Sequence, residues 1–99
     1  MFIHCVFFRL RDDLTAEDRQ EFDEGVRSLL DIETVRHGFV GAPADTHRPV
    51  VLRDYSCGLV VAFDDKAGHD FYQDDPVHDR FRNECSHLWE DVKIYDVQE

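Results

Sequence analysis

Positive charge is scarce in this chain. Its 99 residues carry 11 Lys and Arg against 22 Asp and Glu, a formal net charge of −11 with histidine neutral. A nucleic-acid partner needs a basic face for the phosphate backbone, and an anionic membrane surface repels an acidic chain, so neither partner is expected. The acids are spread along the sequence rather than gathered in a tail, which reads as a solvated surface. Cysteine is sparse and odd in number. Cys5, Cys57 and Cys85 are widely spaced in apolar segments, with no CxxC or other zinc-type pattern. They read as free, mostly buried thiols of a reducing compartment, and a cytoplasmic location is expected. No apolar run is long enough to span a bilayer. The opening MFIHCVFFRL is too short for a secretory core, lacks a basic start and a small-residue cleavage site, and contains His4 and Arg9. Internal repeats, linkers and low-complexity tracts are missing. So are a glycine-rich phosphate loop, a Ser-His-Asp order and a cofactor fingerprint, and no cofactor is expected. His37, His47, His69 and His87 show no ligand spacing, and no metal is expected.

What is present alternates cleanly, within one domain spanning 1–99. FIHCVFFR (2–9) is rich in strand formers, with Phe2, His4, Val6 and Phe8 on one face and Ile3, Cys5, Phe7 and Arg9 on the other. In the segment that follows, Thr15 is placed to cap a helix, with Asp18 three residues on. Phe22, Val26, Leu29 and Leu30 recur at helical spacing, and Gly25 either weakens this helix or admits a close neighbour. ETVRHGFVG (33–41) reads as a second strand, and 42–54, punctuated by proline, as a loop. YSCGLVVAF (55–63) reads as a third strand and Lys66 to Gln73 as a short helix. Asp75 and Pro76 read as the cap and first residue of another helix, with Phe81, Cys85, Leu88 and Trp89 as its buried stripe. DVKIYDV (91–97) is the last strand.

The order β-α-β-β-α-β, with its second helix broken, gives an α+β, ferredoxin-like fold: a four-stranded antiparallel sheet with helices on one face. The uncovered face of such a sheet is normally polar. Here Ile3, Cys5, Phe7, Val60 and Ala62 make it apolar. Two helices cover only one face, so a homodimer through the sheet faces is expected.

The segments HCVFFRL, YSCGLVVAF, FYQDDPVHDRF and WEDVKIYDV together resemble the stress-responsive dimeric α/β-barrel (Dabb) domains, over essentially the whole chain. The most specific piece is Tyr72 followed by Pro76, His78 and Phe81. The family pattern there is Tyr-x-x-His-Pro-x-His, and Asp75 stands where the first histidine is common. The resemblance implies a homodimer in which two four-stranded sheets close into a dimeric α/β barrel. It also implies a family mostly without assigned activity, some of whose members respond to stress. Others are polyketide cyclases, whose acid–base tyrosine and histidine match Tyr72 and His78, and whose first-strand cavity histidine matches His4.

From the residues themselves, His78 falls on the same helix side as Phe81 and Cys85, in the first turn. There the helix dipole favours a neutral imidazole, while Asp74, Asp75 and Asp79 push the other way. It is either a general base or a core histidine bonded to a backbone carbonyl. Tyr72 is either a hydroxyl that polarises a ligand carbonyl or an aromatic packed on the sheet with its hydroxyl at the rim. His4, Val6, Phe8, Phe22, Phe81 and Trp89 either join these two in walling an apolar pocket or form a collapsed core. Asp23, Arg82 and Glu84 lie near that wall in sequence, unlike an apolar ketide tunnel. Three functions fit: a dimeric domain binding a small hydrophobic or carbonyl-containing molecule, a cofactor-free cyclase or lyase using Tyr72 and His78, and a purely structural dimer.

Overall fold

The computed structural model describes Met1–Glu99. Large residues alternating along β1 (Phe2–Leu10), an interior strand of the sheet, bury one face through Phe2, His4, Val6 and Phe8. Thr15 caps α1 (Ala16–Ser28) in a reciprocal box: its Oγ1 accepts from the Asp18 N–H at 3.1 Å, and the Asp18 carboxylate accepts from the Thr15 N–H at 3.1 Å. α1 buries Phe22 and Val26, and a 3-10 turn over Leu29–Asp31 ends it. β2 (His37–Gly41) and β3 (Cys57–Phe63) follow, separated by a long loop. Asp65 then caps α2 (Lys66–Asp74), accepting from the Gly68 N–H. Asp75 caps α3 (Pro76–Cys85), accepting from the Val77 N–H at 2.9 Å, with Pro76 at the first helical position. β4 runs from Trp89 to Gln98.

The sheet is antiparallel in the order β2-β3-β1-β4. The β-α-β-β-α-β plan therefore stands, with the second helix broken at Asp75. Barrel closure does not. β2 and β4 are free edges that bond to no other strand, so the four-stranded sheet is open. Family resemblance suggested a closed barrel, but closing one requires the two edge strands to find partners.

Smaller corrections concern strand ends. The second strand is shorter than 33–41, because the Val35 N–H donates to the Ile32 carbonyl in a turn and Thr34 Oγ1 donates to the Gly68 carbonyl. The third strand starts at Cys57 rather than 55. The last starts earlier than 91, at Trp89, which thus belongs to a strand and not to a helix stripe. Gly25 allows a close approach: a Cβ there would lie 2.9 Å from Cys85 Sγ and 3.0 Å from the Phe81 ring, so α1 and α3 meet at this point. No helix is long and apolar enough to cross a membrane.

Candidate functional site

The helices cover β1 and β3 but leave part of β4 open. On the covered face, Val6 pairs with Leu59 on one side and Ile94 on the other, and Phe8 with Cys57 and Val92. Leu59 is 1% exposed, whereas Val92 and Ile94 are 38% and 52% exposed. The gap between α3 and β4 is a cavity of about 140 Å³. Val6, Phe8, Phe81 and Trp89 form its apolar wall with Val92 and Ile94, and His4, Tyr72 and His78 supply polar atoms. Phe22 stands behind this wall, its ring centroid 5.2 Å from that of Phe8 and 6.1 Å from that of Phe81, and does not line the cavity. Arg82 and Gln73 stand at the wall, while Asp23 and Glu84 do not.

Tyr72 and His78 converge. Their ring centroids are 5.0 Å apart, edge to face, across the helix break at Asp75. Tyr72 is completely buried, so its hydroxyl does not sit at the rim. No protein group bonds to Tyr72 Oη or to His78 Nδ1, and both atoms are buried. An unpaired buried polar group costs roughly 1–3 kcal/mol, and two lie in this one wall. The bond from Nδ1 to a backbone carbonyl that an ordinary core histidine makes is missing here. Burial, then Arg82 and His4, lower the His78 pKa to about 4, against a smaller opposing pull from Asp79. His78 is therefore neutral at pH 7. Burial pushes the Tyr72 phenol well above its ordinary range, so it remains an O–H donor.

His4 faces two ways. It lines the cavity, with its ring 5.7 Å from that of Tyr72, and its Nδ1 lies 2.5 Å from Asp96 Oδ1 on β4. Burial lowers its pKa, partly offset by the bond to Asp96. His69, on α2, stacks on Phe2 with ring centroids 4.4 Å apart and meets His4 edge to face at 5.0 Å. Burial pushes the thiols of Cys57 and Cys85 up to about 11, which keeps them protonated and unreactive.

Several wall residues escape sequence reasoning. Val92 and Ile94 alternate correctly in β4, but only the sheet order puts them beside β1. Gln73 gives no sequence signal, while Arg82, already placed near the wall by its position in the sequence, does reach it.

The family described as Stress responsive A/B Barrel Domain matches residues 2–99. The chain belongs to that family, Dabb. No curated protein matches it. Among solved structures, this Dabb chain is similar to a protein of Arabidopsis thaliana, with TM-score 0.81 and 19% identity, over 100% of this chain and 95% of that one. It is similar to a dimeric ferredoxin-like protein of unknown function from Thermobifida fusca, with TM-score 0.79 and 19% identity, over 99% and 90%. It is also similar to the hydroxynitrile lyase of Passiflora edulis, with TM-score 0.78 and 17% identity, over 97% and 90%. At these identities the likeness speaks for a shared fold.

Proposed function

We propose that this Dabb domain binds a small, largely apolar molecule carrying a carbonyl group in the cavity between α3 and β4. The observation that carries this reading is the pair of buried, unbonded atoms, Tyr72 Oη and His78 Nδ1, in a wall made mostly of apolar side chains. The phenol donates to the carbonyl oxygen. The neutral imidazole offers one N–H and one lone pair to a neighbouring polar group. Apolar cavities of about 150 Å³ accept benzene, so the occupant has about the bulk of one ring with a short substituent. Acetophenone is a suitable probe. Its titration should shift the NMR signals of Tyr72, His78 and Ile94, and Tyr72→Phe should weaken binding about tenfold. Shifts confined to other surfaces, or an affinity indifferent to Tyr72→Phe, would overturn the reading.

A second reading, proton transfer on the bound carbonyl compound by Tyr72 and His78, draws support from their convergence and from the lyase of the same fold. The basicity of His78 weighs against it. A general base works best with its pKa near the operating pH, and at about 4 this imidazole is a weak one. Deuterium exchange at the acetophenone methyl group decides. Catalysed exchange that disappears in His78→Ala supports cyclase-like or lyase-like chemistry, and exchange at the buffer rate leaves binding alone.

A second copy of the chain covers the outer face of the sheet. Phe39, Tyr95 and Val97 stand 62%, 58% and 61% exposed there, alongside Ile3, Cys5 and Phe7 of β1. An exposed apolar sheet face of this kind marks an association surface, and the Thermobifida protein of the same fold is dimeric. A Tyr95→Lys, Val97→Lys double variant should sediment as a monomer where the natural chain sediments as a dimer. A natural chain that is already monomeric at micromolar concentration refutes this surface.

A further inference from the structure

We propose that His4, His69 and Asp96 form a binding site for a divalent transition-metal ion of the Zn²⁺ type. They come from β1, α2 and β4, and each offers a ligand atom lying within 4.8 Å of the others. Two imidazoles and one carboxylate are a donor set that such ions favour, with a fourth position left for water or ligand. His4 is buried and Asp96 is part-exposed at the sheet edge, so the site has both a fixed anchor and an entry path.

The surroundings of His69 match the pattern of a metal-bound imidazole. Its Nδ1 lies 3.1 Å from Asp70 Oδ1, and its Nε2 lies 3.3 Å from Gln73 Nε2. Asp70 can only accept, so Nδ1 carries the proton and donates to it. Nε2 is then the lone-pair atom, accepting from the Gln73 amide. A carboxylate behind the ring that fixes the tautomer and raises ligand basicity is the usual outer support of a metal-bound histidine. Phe2 stacks on the ring.

The distances demand little movement. Ligands about 2.0–2.1 Å from a tetrahedral ion stand about 3.4 Å from one another. At His4 the ion takes the place of the Nδ1 proton that now faces Asp96, the ring proton moving to Nε2; the His4–Asp96 contact then opens by under about 1 Å, and the remaining pairs close by up to about 1.5 Å. Rotation of the Asp96 and His69 side chains, neither fully buried, supplies that. His4 is shared with the cavity wall, which places the ion beside the cavity. The site stands whether or not the cavity binds a carbonyl compound.

The test uses the full chain without a histidine tag, freed of metal by dialysis and titrated with Zn²⁺ by calorimetry and with Co²⁺ by visible absorption. One ion per chain is expected, with Co²⁺ bands of a tetrahedral or five-coordinate centre. His69→Ala and Asp96→Asn should each weaken binding at least tenfold, and Asp70→Asn about tenfold. His47→Ala, at the exposed His47–Asp45 pair, should change nothing. Asp96 lies on an edge strand, so Asp96→Asn decides alone if His69→Ala loses its fold. Absence of one-to-one binding, or an affinity unchanged in Asp96→Asn, overturns the site.

Discussion

β3 and β4 flank β1, and at the levels of Val6 and Phe8 both direct apolar side chains to the same face, yet they end in different environments. On β3, Leu59, Val61 and Phe63 are at most 1% exposed. On β4, Val92 and Ile94, level with Phe8 and Val6, keep 38% and 52% of their surface. Further along, β4 turns polar, with Asp96 and Gln98 opposite His4 and Phe2, but at the level of Val6, where Leu59 and Ile94 are both aliphatic, composition does not explain the difference. Coverage does. α1 meets α3 at Gly25 and contacts β2, while α2 contacts β1 and β3, so the helical layer lies over the β2 side of the sheet. The edge left over becomes the wall of a cavity instead of a core. Burial at a position in this fold follows the strand's place in the sheet more than the residue that occupies it.

The largest effect expected from breaking this asymmetry is a paired truncation. Leu59→Ala should cost about 2–5 kcal/mol, as buried leucines do. Ile94→Ala, at the same level of the sheet, should cost under about 1 kcal/mol, because it keeps 52% of its surface in water. Urea denaturation of both measures the contrast, and equal costs would mean that β4 is covered in solution. Next is the junction that shifts the helices. Gly25→Ala adds a methyl where Cys85 Sγ already stands 2.9 Å away. The better helix propensity of alanine gains about 1 kcal/mol, whereas overpacking costs about 1–3 kcal/mol. Cys85 is buried and short, with little room to yield, so net destabilisation is expected in thermal melts.

A third comparison concerns pH. The His78 pKa is about 4 in the folded chain against an ordinary 6.5. Between those values the unfolded chain binds the extra proton, so the contribution of His78 is complete above about pH 6.5 and is lost as pH falls towards 4. Denaturation midpoints between pH 4 and 7 should therefore depend less on pH in His78→Phe than in the natural chain, and an unaltered slope would mean that His78 is solvated. The smallest effect is the most specific. Tyr72→Phe deletes an unbonded buried hydroxyl and should leave stability unchanged or raise it by up to about 1 kcal/mol, while weakening acetophenone binding. A loss of stability in Tyr72→Phe would mean that the hydroxyl has a structural bond.

Much of the scaffold was legible in the sequence for local reasons. The Thr15–Asp18 box and the Asp75–Pro76 start are short-range chemistry, and both caps form as the residue types require. The alternation of β1 assigned Phe2, His4, Val6 and Phe8 to one buried face. Strand ends were less legible. Val35 alternates properly with His37 but is drawn into a turn by Ile32, a competition that side-chain pattern does not report. Closure was the larger misreading, because whether edge strands find partners depends on how far the sheet extends and not on what its strands are made of.

The candidate site divides along the same line. Tyr72 and His78 lie six positions apart across a helix break, a spacing that allows their convergence without forcing it, and the packing of α2 against α3 brings the rings together. His4, His69 and Asp96 give no sequence signal as a group, since they belong to three elements whose neighbourhood is set by strand order and helix docking. The sequence by itself determined the elements, their caps and the two-sided apolar character of the sheet, because each depends on residues within a few positions of one another. Only the tertiary structure decided which edge the helices leave bare and which polar atoms are buried without partners. Those outcomes depend on contacts between segments far apart in the chain, whose register no local pattern encodes.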